Sequence, residues 1–260
     1  MFDYNDISPP SKISMPPLRQ SKRIAVKKAL FGQGSDDDIM ALNGSDSVKR
    51  KSMRTLRPGV WLNDEVITYY LKMLASRDEA LSKNEPNRKR SHFFMSFFVT
   101  KLLDVGCTNG YTYKHVKHWS TKVPGKDIFN LKNIFFPINI NQSHWACAVI
   151  YMQEKRIQYY DSMGSGGSKY LSALMTYLED EWADKKSGDL PDKENWTILN
   201  SVDGVPLQHN GCDCAVFTLM YADFLSLDRP LSFDQNYITN GCREHIASSI
   251  LNGAIIESFV

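Results

Sequence analysis

The chain has 260 residues, of which 42% are hydrophobic and 23% charged, a composition typical of a globular protein with a sizeable core. Its formal net charge of +2 is too small to indicate nucleic-acid binding. No apolar run approaches the ~20 residues that cross a bilayer, and the N-terminal region lacks the apolar core of a signal peptide, so we expect neither membrane insertion nor secretion.

Residues 1–50 differ in composition from the rest of the chain. They contain few aromatic residues, an acidic run at 36–38 and scattered basic pairs. Such a segment buries little apolar surface, so we predict that it is disordered or loosely attached and that the folded domain occupies 51–260. The basic cluster at 49–51 is typical of a nuclear-import signal, and a solvated charged stretch is the alternative interpretation.

The folded part is expected to open with a helix. Asn63 follows a Pro-Gly turn at 58–59 and is well placed to cap that helix. Five apolar residues then recur at helical spacing: Val66, Ile67, Tyr70, Leu71 and Leu74. This stripe predicts an amphipathic helix.

The second half of the chain contains several predicted strands and two predicted helices. The patterns predict strands at 134–140, 144–152, 156–160 and 196–202, and helices at 169–182 and 214–227. The stretch 144–152 is apolar on both faces, as a central strand is. Strands in the middle with helices before and after predict an α+β fold.

The strands at 144–152 and 156–160 form a predicted hairpin with its turn near residue 153. An antiparallel pair about that turn brings His144 and Asp161 to the same open end of the sheet. A carboxylate beside a histidine fixes the tautomer and the orientation of the imidazole. We therefore expect these two side chains to form a catalytic pair.

Cys214 supplies the group that such a pair would activate. It follows the turn signal Asn210-Gly211 and lies at the start of a long apolar helix. The positive end of the helix dipole and a neighbouring imidazolium both favour a thiolate there. A backbone N–H at the helix start and the side-chain amide of Gln208 are candidate donors to an oxyanion.

The other cysteines have simpler interpretations. The five cysteines, Cys107, Cys147, Cys212, Cys214 and Cys242, are too sparse for a disulfide scaffold and indicate a reducing compartment. Cys147, in mid-strand, and Cys242 are interpreted as inert core residues. Cys212 and Cys214 form C-x-C, but no second Cys/His pair with structural-zinc spacing follows, so we predict no metal site.

Five stretches of sequence carry a resemblance to a known family. In chain order they are Trp61-Leu62-Asn63-Asp64-Glu65-Val66-Ile67, Ser96-Phe97-Phe98, Phe136-Pro137-Ile138-Asn139 leading to His144-Trp145, Tyr159-Tyr160-Asp161-Ser162-Met163-Gly164, and Gln208-x-Asn210-Gly211-x-Asp213-Cys214. The chain resembles the ubiquitin-like-protein-specific cysteine proteases, in the branch of the SUMO (sentrin) proteases. The resemblance covers about 55 to 260, and five motifs in family order are highly specific.

The resemblance implies a papain-like fold, with a central mixed sheet flanked by helices and a permuted His–Asp–Gln–Cys order. It implies that His144 is the general base and acid, Asp161 its orienting carboxylate, Cys214 the nucleophile and Gln208 an oxyanion-hole donor. The implied reaction is hydrolysis of the isopeptide or peptide bond after the modifier's C-terminal Gly-Gly, through a thioester on the cysteine. No metal or organic cofactor is implied.

The implied partners are SUMO and SUMO-conjugated proteins, and we expect a monomer. The resemblance and the basic N-terminal segment together lead us to expect a nuclear or nuclear-envelope protein, with the cytoplasm as the alternative.

Five further residues match family positions that bind the modifier: Trp61, Asp64, Phe97, Trp145 and Met163. Two facing indoles leave a slot that only residues without a Cβ can thread, which suits a diglycine tail. Without the resemblance, both tryptophans would be interpreted as ordinary buried residues, Asp64 as an acidic residue of a first helical turn and Phe97 as a core residue.

One position departs from the family pattern, because Ala215 stands where the family usually has glycine after the nucleophile. A methyl group there could crowd the substrate, although alanine is the better helix former. Three alternatives remain beside an active SUMO protease: a Nedd8-specific protease of the same fold, a non-catalytic SUMO-binding protein, and a thioester-forming acetyltransferase.

Overall fold

The structure is a computed structural model that describes residues 12–104, 110–200 and 203–255. The chain divides into two units, of which the first combines 1–73 with 203–260 and the second is 74–202. Cys107 lies outside the described residues. In the described ranges, no helix has both the length and the apolar composition needed to cross a membrane.

Eight α-helices are described: α1 (Gln20–Phe31), α2 (Arg50–Met53), α3 (Asp64–Asn84), α4 (Phe97–Leu102), α5 (Ser168–Lys185), α6 (Cys214–Ser226), α7 (Gln235–Tyr237) and α8 (Arg243–Asn252). Short 3-10 turns occupy Arg54–Leu56, Tyr113–His115, Trp119–Lys122, Pro124–Lys126, Ile128–Asn130 and Lys193–Asn195, and a π turn occupies Ile238–Cys242. The strands are β1 (Ile39–Asn43), β2 (Asp46–Lys49), β3 (His92–Phe93), β4 (Asn133–Ile140), β5 (His144–Tyr151), β6 (Arg156–Tyr160) and β7 (Thr197–Leu199).

The predicted helix start at Asn63 is confirmed. The Asn63 side-chain oxygen accepts a hydrogen bond from the backbone N–H of Val66 at 3.2 Å, the bond expected of an N-cap residue. Farther along this helix, the hydroxyl of Tyr70 donates to the carboxylate of Asp223 on α6 at 2.9 Å. The cap therefore fixes where the helix begins, and Tyr70 fixes its contact with α6.

The second unit contains a five-stranded mixed sheet in the order β3-β4-β5-β6-β7. The three middle strands are antiparallel, whereas β3 and β7 run parallel to their neighbours at the two edges. The α+β fold class and the central position of β5 are thus confirmed. The strand predicted at 196–202 is shorter, at Thr197–Leu199, and positions 201–202 lie outside the described residues.

Alternate side chains of the three middle strands lie on one face of the sheet. Every second residue of these strands faces the core of the second unit: Ile134, Phe136, Ile138, Ala146, Ala148, Ile150, Ile157 and Tyr159. Apolar residues of α4 and α5, such as Phe98 and Leu174, complete that core. Most residues of β4 and β5 are buried on both faces of the sheet, and their pairing places Ile138 opposite Ala146 and Ile140 opposite His144.

Helix α6 is the most buried helix described in the first unit. Almost all of its residues are buried, as expected for a helix that is apolar all round rather than on one stripe. Its first residue is Cys214, at the position that the sequence pattern predicts. A helix packed on all sides has little freedom to shift, so its first residue is held firmly.

The prediction of disorder over residues 1–50 differs from the structure, which has α1 and the β1–β2 hairpin in this range. The side chains of Val26, Ala29 and Leu30 are buried on one face of α1, which packs on α8. These three residues follow the i, i+3, i+4 spacing of a helical stripe, and that stripe outweighs the low aromatic content of the segment. Residues 1–11 lie outside the described residues.

The basic cluster at 49–51 is part of this folded region. The Lys49 ammonium pairs with Asp37 at 2.9 Å, and the Arg50 guanidinium pairs with Asp38 at 3.0 Å. Arg50 is also the first residue of α2. Two of the three basic residues of this cluster therefore have carboxylate partners within the fold.

Candidate active site

The two ends of the β5–β6 hairpin place a histidine beside a carboxylate. His144 is the first residue of β5, and Asp161 directly follows β6, in a register that pairs Cys147 with Tyr160. The imidazole Nε2 lies 2.7 Å from Asp161 Oδ1. The proximity that the hairpin pattern predicts is therefore confirmed.

Asp161 is well suited to orient that imidazole. Its side chain is 1% exposed, against 13% for His144. Its Oδ1 atom also accepts the backbone N–H of Met163 at 2.8 Å, so two donors fix the position of this oxygen. A carboxylate acceptor on Nε2 selects the tautomer that carries the proton there and leaves proton exchange to Nδ1.

Cys214 lies in the first unit, where it is 5% exposed and begins α6. The first N–H groups of a helix have no partner within the helix, and they point toward any negative charge placed at its start. A thiolate or an oxyanion at this position is therefore stabilised by the helix that carries the cysteine.

The turn before Cys214 is fixed by side-chain hydrogen bonds. Asn210 Oδ1 accepts the backbone N–H groups of Cys212 and Asp213 at 3.0 and 3.1 Å. The Gln208 amide donates to the carbonyl of Asn210, and the Trp61 indole donates to the carbonyl of Gly211 at 2.7 Å. We call residues 208–213 the cysteine loop. The structure thus brings Trp61, Gln208 and the start of α6 together within the first unit.

The cysteine loop includes a buried carboxylate, Asp213, to which the sequence patterns assign no role. Asp213 is 5% exposed and accepts hydrogen bonds from Arg243 on one oxygen and from Asn210 and Gln235 on the other. Arg243 and Gln235 follow in the chain by more than 20 residues, without a motif that marks them. Only the folded chain reveals these partners.

These contacts set the ionisation of Asp213. Burial by itself raises the pKa of the Asp213 carboxyl. Hydrogen bonds from Asn210 and Arg243, the charge of Arg243 and the Gln235 amide outweigh burial and hold the pKa below the ordinary value of 3.8. The group is therefore a carboxylate throughout the neutral pH range.

A depressed pKa predicts a defined loss of stability in acid. A carboxylate of this kind stabilises the fold fully above its unfolded pKa, near 3.8, and less as the pH falls toward the lower folded value. We expect the free energy of unfolding of the wild type to fall in this window and Asp213→Asn to lack that part of the fall. Urea unfolding between about pH 2 and 5 measures both. Parallel pH profiles for the two proteins would contradict the prediction.

Three other cysteines are poor nucleophiles for a physical reason. Burial raises the pKa of the Cys147 thiol to about 12 and that of Cys242 well above its ordinary value. Burial and then the negative charge of Asp213 raise the pKa of Cys212. These thiols stay protonated at neutral pH, which supports the interpretation of Cys147 and Cys242 as inert.

The residues expected to bind the modifier differ in exposure. Trp61 and Phe97 are each 52% exposed, and Met163 is 60% exposed. Asp64 is exposed as well, in the first turn of α3, whereas Trp145 is only 8% exposed. The alternative of core packing is therefore wrong for Phe97, and the interpretation of Trp61 as an ordinary buried residue is wrong too. Large exposed apolar side chains are typical of binding surfaces.

Metal ligands are not grouped in the described part of the chain. Across residues 12–104, 110–200 and 203–255, no cluster of three or more His, Cys, Asp or Glu side chains is arranged to hold a metal ion.

Comparison with known proteins points to one family. The family "Ulp1 protease family, C-terminal catalytic domain" matches residues 60–251. The chain is 38% identical to "Ubiquitin-like-specific protease 1A" of Arabidopsis thaliana over 221 residues, which is 84% of this chain and 42% of that protein. It is 34% identical to human "Sentrin-specific protease 2" over 207 residues, 79% of this chain and 32% of that protein. The chain thus spans less than half the length of these relatives.

Solved structures agree with the sequence comparisons. The C-terminal Ulp1 protease domain in complex with Smt3, the yeast orthologue of SUMO, has a TM-score of 0.74 and 30% identity, covering 93% of this chain and 99% of that one. The catalytic domain of the Chaetomium thermophilum Ulp1-like SUMO protease has a TM-score of 0.77 at 24% identity, covering 98% of this chain and 97% of that one. At that identity the second likeness concerns the fold alone.

Proposed function

Because the chain belongs to the Ulp1 protease family, we propose that it is an active cysteine protease that removes a SUMO-type modifier. The observation that carries the proposal is the 2.7 Å hydrogen bond between His144 and Asp161. An oriented imidazole needs a nucleophile, and Cys214 at the start of α6 is the cysteine best suited to that role. The relatives are ubiquitin-like-specific and sentrin-specific proteases, so the Nedd8 alternative is not favoured.

The proposed reaction has two halves. His144 takes the proton of the Cys214 thiol at Nδ1, and the thiolate attacks the carbonyl carbon of the modifier's last glycine. The imidazolium then gives its proton to the leaving amine, which is a lysine Nζ in a conjugate or an α-amine in a precursor. The products of this half are a thioester on Cys214 and the free amine.

Water completes the second half. His144 takes a proton from the water, whose oxygen attacks the thioester carbonyl, and the thiolate leaves with the proton returned to it through the imidazole. In both halves negative charge develops on the carbonyl oxygen. We propose that the backbone N–H of Cys214 and the amide of Gln208, which is anchored to the carbonyl of Asn210, stabilise this oxyanion.

We propose that the modifier binds through the exposed apolar residues and the tryptophans. Trp61 and Trp145 would contact the diglycine tail, which has no Cβ atoms to collide with indole rings. Phe97 and Met163 would contact the apolar surface of the modifier, and Asp64 would pair with a basic residue on it. The neighbouring Smt3 complex supports a SUMO-type partner.

An activity-based trap tests the function directly. A SUMO whose C-terminal glycine is replaced by a thiol-reactive warhead should form a covalent adduct, and peptide mapping should place it on Cys214. Fluorogenic SUMO, Nedd8 and ubiquitin substrates tested side by side should show cleavage of SUMO alone. The absence of any adduct would leave a non-catalytic SUMO-binding protein as the better description, and transfer of an acetyl group without peptide cleavage would favour the acetyltransferase.

Trp61→Ala should chiefly weaken substrate binding. The change removes a half-exposed indole together with its hydrogen bond to the Gly211 carbonyl. We expect kcat/KM for a SUMO substrate to fall about 100-fold, mostly through KM, since loss of an aromatic anchor is among the costliest interface changes. Trp61→Phe is the matched variant: it keeps an aromatic ring and loses the indole N–H, so its kcat/KM should fall only severalfold. Equal losses in the two variants would assign the effect to the hydrogen bond.

The location and the assembly of the protein are further parts of the proposal. The family resemblance supports a nuclear or nuclear-envelope location, with the cytoplasm as the alternative, and monomeric action on SUMO-conjugated proteins. Imaging of the tagged full-length protein and its sedimentation in solution test the two proposals.

A further inference from the structure

The guanidinium of Arg243 contacts two separate stretches of the first unit. Its Nε and Nη2 atoms donate to Asp213 Oδ1 at 3.0 and 2.6 Å, and Nη2 also donates to the Cys212 carbonyl at 2.9 Å. Its Nη1 atom lies 3.2 Å from the carbonyl of Thr55 and 3.3 Å from that of Arg57. One buried side chain thus joins the cysteine loop to the stretch that leads to Trp61.

Gln235 holds the same loop from another side. Its Oε1 atom accepts the backbone N–H of His209 at 2.8 Å, and its Nε2 atom donates to Asp213 Oδ2 at 3.0 Å. Asn210 Nδ2 donates to that same oxygen at 2.7 Å. The Asp213 carboxylate is therefore fixed by donors on both oxygens, immediately before Cys214 in the chain.

A buried ion pair of this kind contributes more to geometry than to net stability. The desolvation of both charges offsets much of their attraction, whereas the directions of their hydrogen bonds are strict. A guanidinium presents several donors in one plane and can bond a carboxylate and backbone carbonyls together. A lysine ammonium is a point charge on a flexible stem and cannot reach the same set of acceptors.

We propose that Arg243 is a positioning residue that holds the cysteine loop, and with it Cys214, in the geometry needed for attack. This inference rests on the proposed function. Arg243 fixes the end of the loop through the Cys212 carbonyl and the Asp213 side chain, so the direction of the first N–H groups of α6 depends on it. The hydrogen bonds to the carbonyls of Thr55 and Arg57 hold the guanidinium itself in place from a second stretch of the chain.

Substitution of Arg243 should lower turnover more than binding. For Arg243→Ala we expect kcat on a fluorogenic SUMO substrate to fall about 100-fold, because a displacement of the nucleophile near 1 Å has a cost of this size. KM should change less than about fivefold, since the modifier-binding side chains remain. Arg243→Lys retains the positive charge near Asp213 and should recover about tenfold of the lost kcat.

A second readout requires no modifier. The rate of iodoacetamide labelling at Cys214, followed by mass spectrometry of its peptide, should fall at least about tenfold in Arg243→Ala. Arg50→Ala is the matched control: Arg50 is an arginine of the first unit with a similarly small exposed fraction, 11% against 9% for Arg243, and its ion pair is with Asp38 rather than with the cysteine loop. Its kcat and its labelling rate should stay near those of the wild type, even where its melting temperature falls.

The outcomes separate the proposals. Labelling and kcat of Arg243→Ala within about threefold of the Arg50→Ala values would overturn the positioning role. If Arg243→Ala does not fold, Arg243→Lys decides: a native circular-dichroism spectrum with lowered kcat and labelling supports the role, and wild-type values overturn it. A wild type that cleaves no SUMO substrate overturns the proposed function, and the labelling comparison then decides on Arg243 alone.

Discussion

Cys214→Ser is expected to abolish turnover of SUMO substrates while the protein still binds SUMO. A serine hydroxyl in place of the thiol is far less acidic, and an imidazole arranged for sulfur does not activate it efficiently. Loss of a nucleophile in a coupled catalytic set removes nearly all of its contribution, so we expect kcat to fall by about 10⁴-fold or more. Steady-state cleavage of a fluorogenic SUMO and isothermal titration with unmodified SUMO measure the two quantities.

Cys147→Ala is the control for this prediction. Cys147 is a buried strand residue whose thiol pKa burial raises to about 12, so its removal should leave kcat unchanged. Substantial residual cleavage by Cys214→Ser, or a loss of cleavage in a folded Cys147→Ala protein, would contradict the assignment of the nucleophile.

Asp161→Ala is expected to have the second largest effect. The change removes the oxygen that accepts His144 Nε2–H and the N–H of Met163, together with the charge that stabilises the imidazolium. We expect kcat to fall about 10⁴-fold, in line with the loss of an orienting carboxylate from other catalytic triads.

Asp161→Asn separates orientation from charge. An asparagine oxygen can still accept both donors, so the imidazole keeps its tautomer while the negative charge is lost. We therefore expect the asparagine variant to retain about tenfold more activity than the alanine variant. Asp180→Asn, at a carboxylate that accepts the Tyr111 hydroxyl in the same unit, should leave kcat unchanged. Similar activities for Asp161→Ala, Asp161→Asn and the wild type would refute the role.

The hairpin that carries His144 and Asp161 could be predicted because its determinants are local. The turn near residue 153 fixes the antiparallel pairing of the two adjacent strands, whereas the sequence defines their register only to within about two residues. The same holds for the cap at Asn63 and for the start of α6 at Cys214, since each depends on residues within one turn of helix.

The partners of Asp213 could not be predicted, because they are remote in sequence. Gln235 and Arg243 follow α6 in the chain, more than 20 residues after the carboxylate, and neither residue belongs to a pattern that marks a contact. The N-terminal helix was missed for another reason. The stripe of Val26, Ala29 and Leu30 was present, but the charged composition around it favoured disorder.

The attachment of α1 to α8 affects how far the chain can be shortened. Besides the apolar contact between these helices, His245 of α8 is hydrogen-bonded to the carbonyl of Pro16 at 2.7 Å. A protein trimmed to begin at residue 51 would lose that cover, and the bared face of α8 would favour aggregation. Since Arg243 is the first residue of α8, the same trimming would loosen the anchor of the cysteine loop. Such a protein would lose catalytic activity as well as solubility, although no catalytic group had been removed.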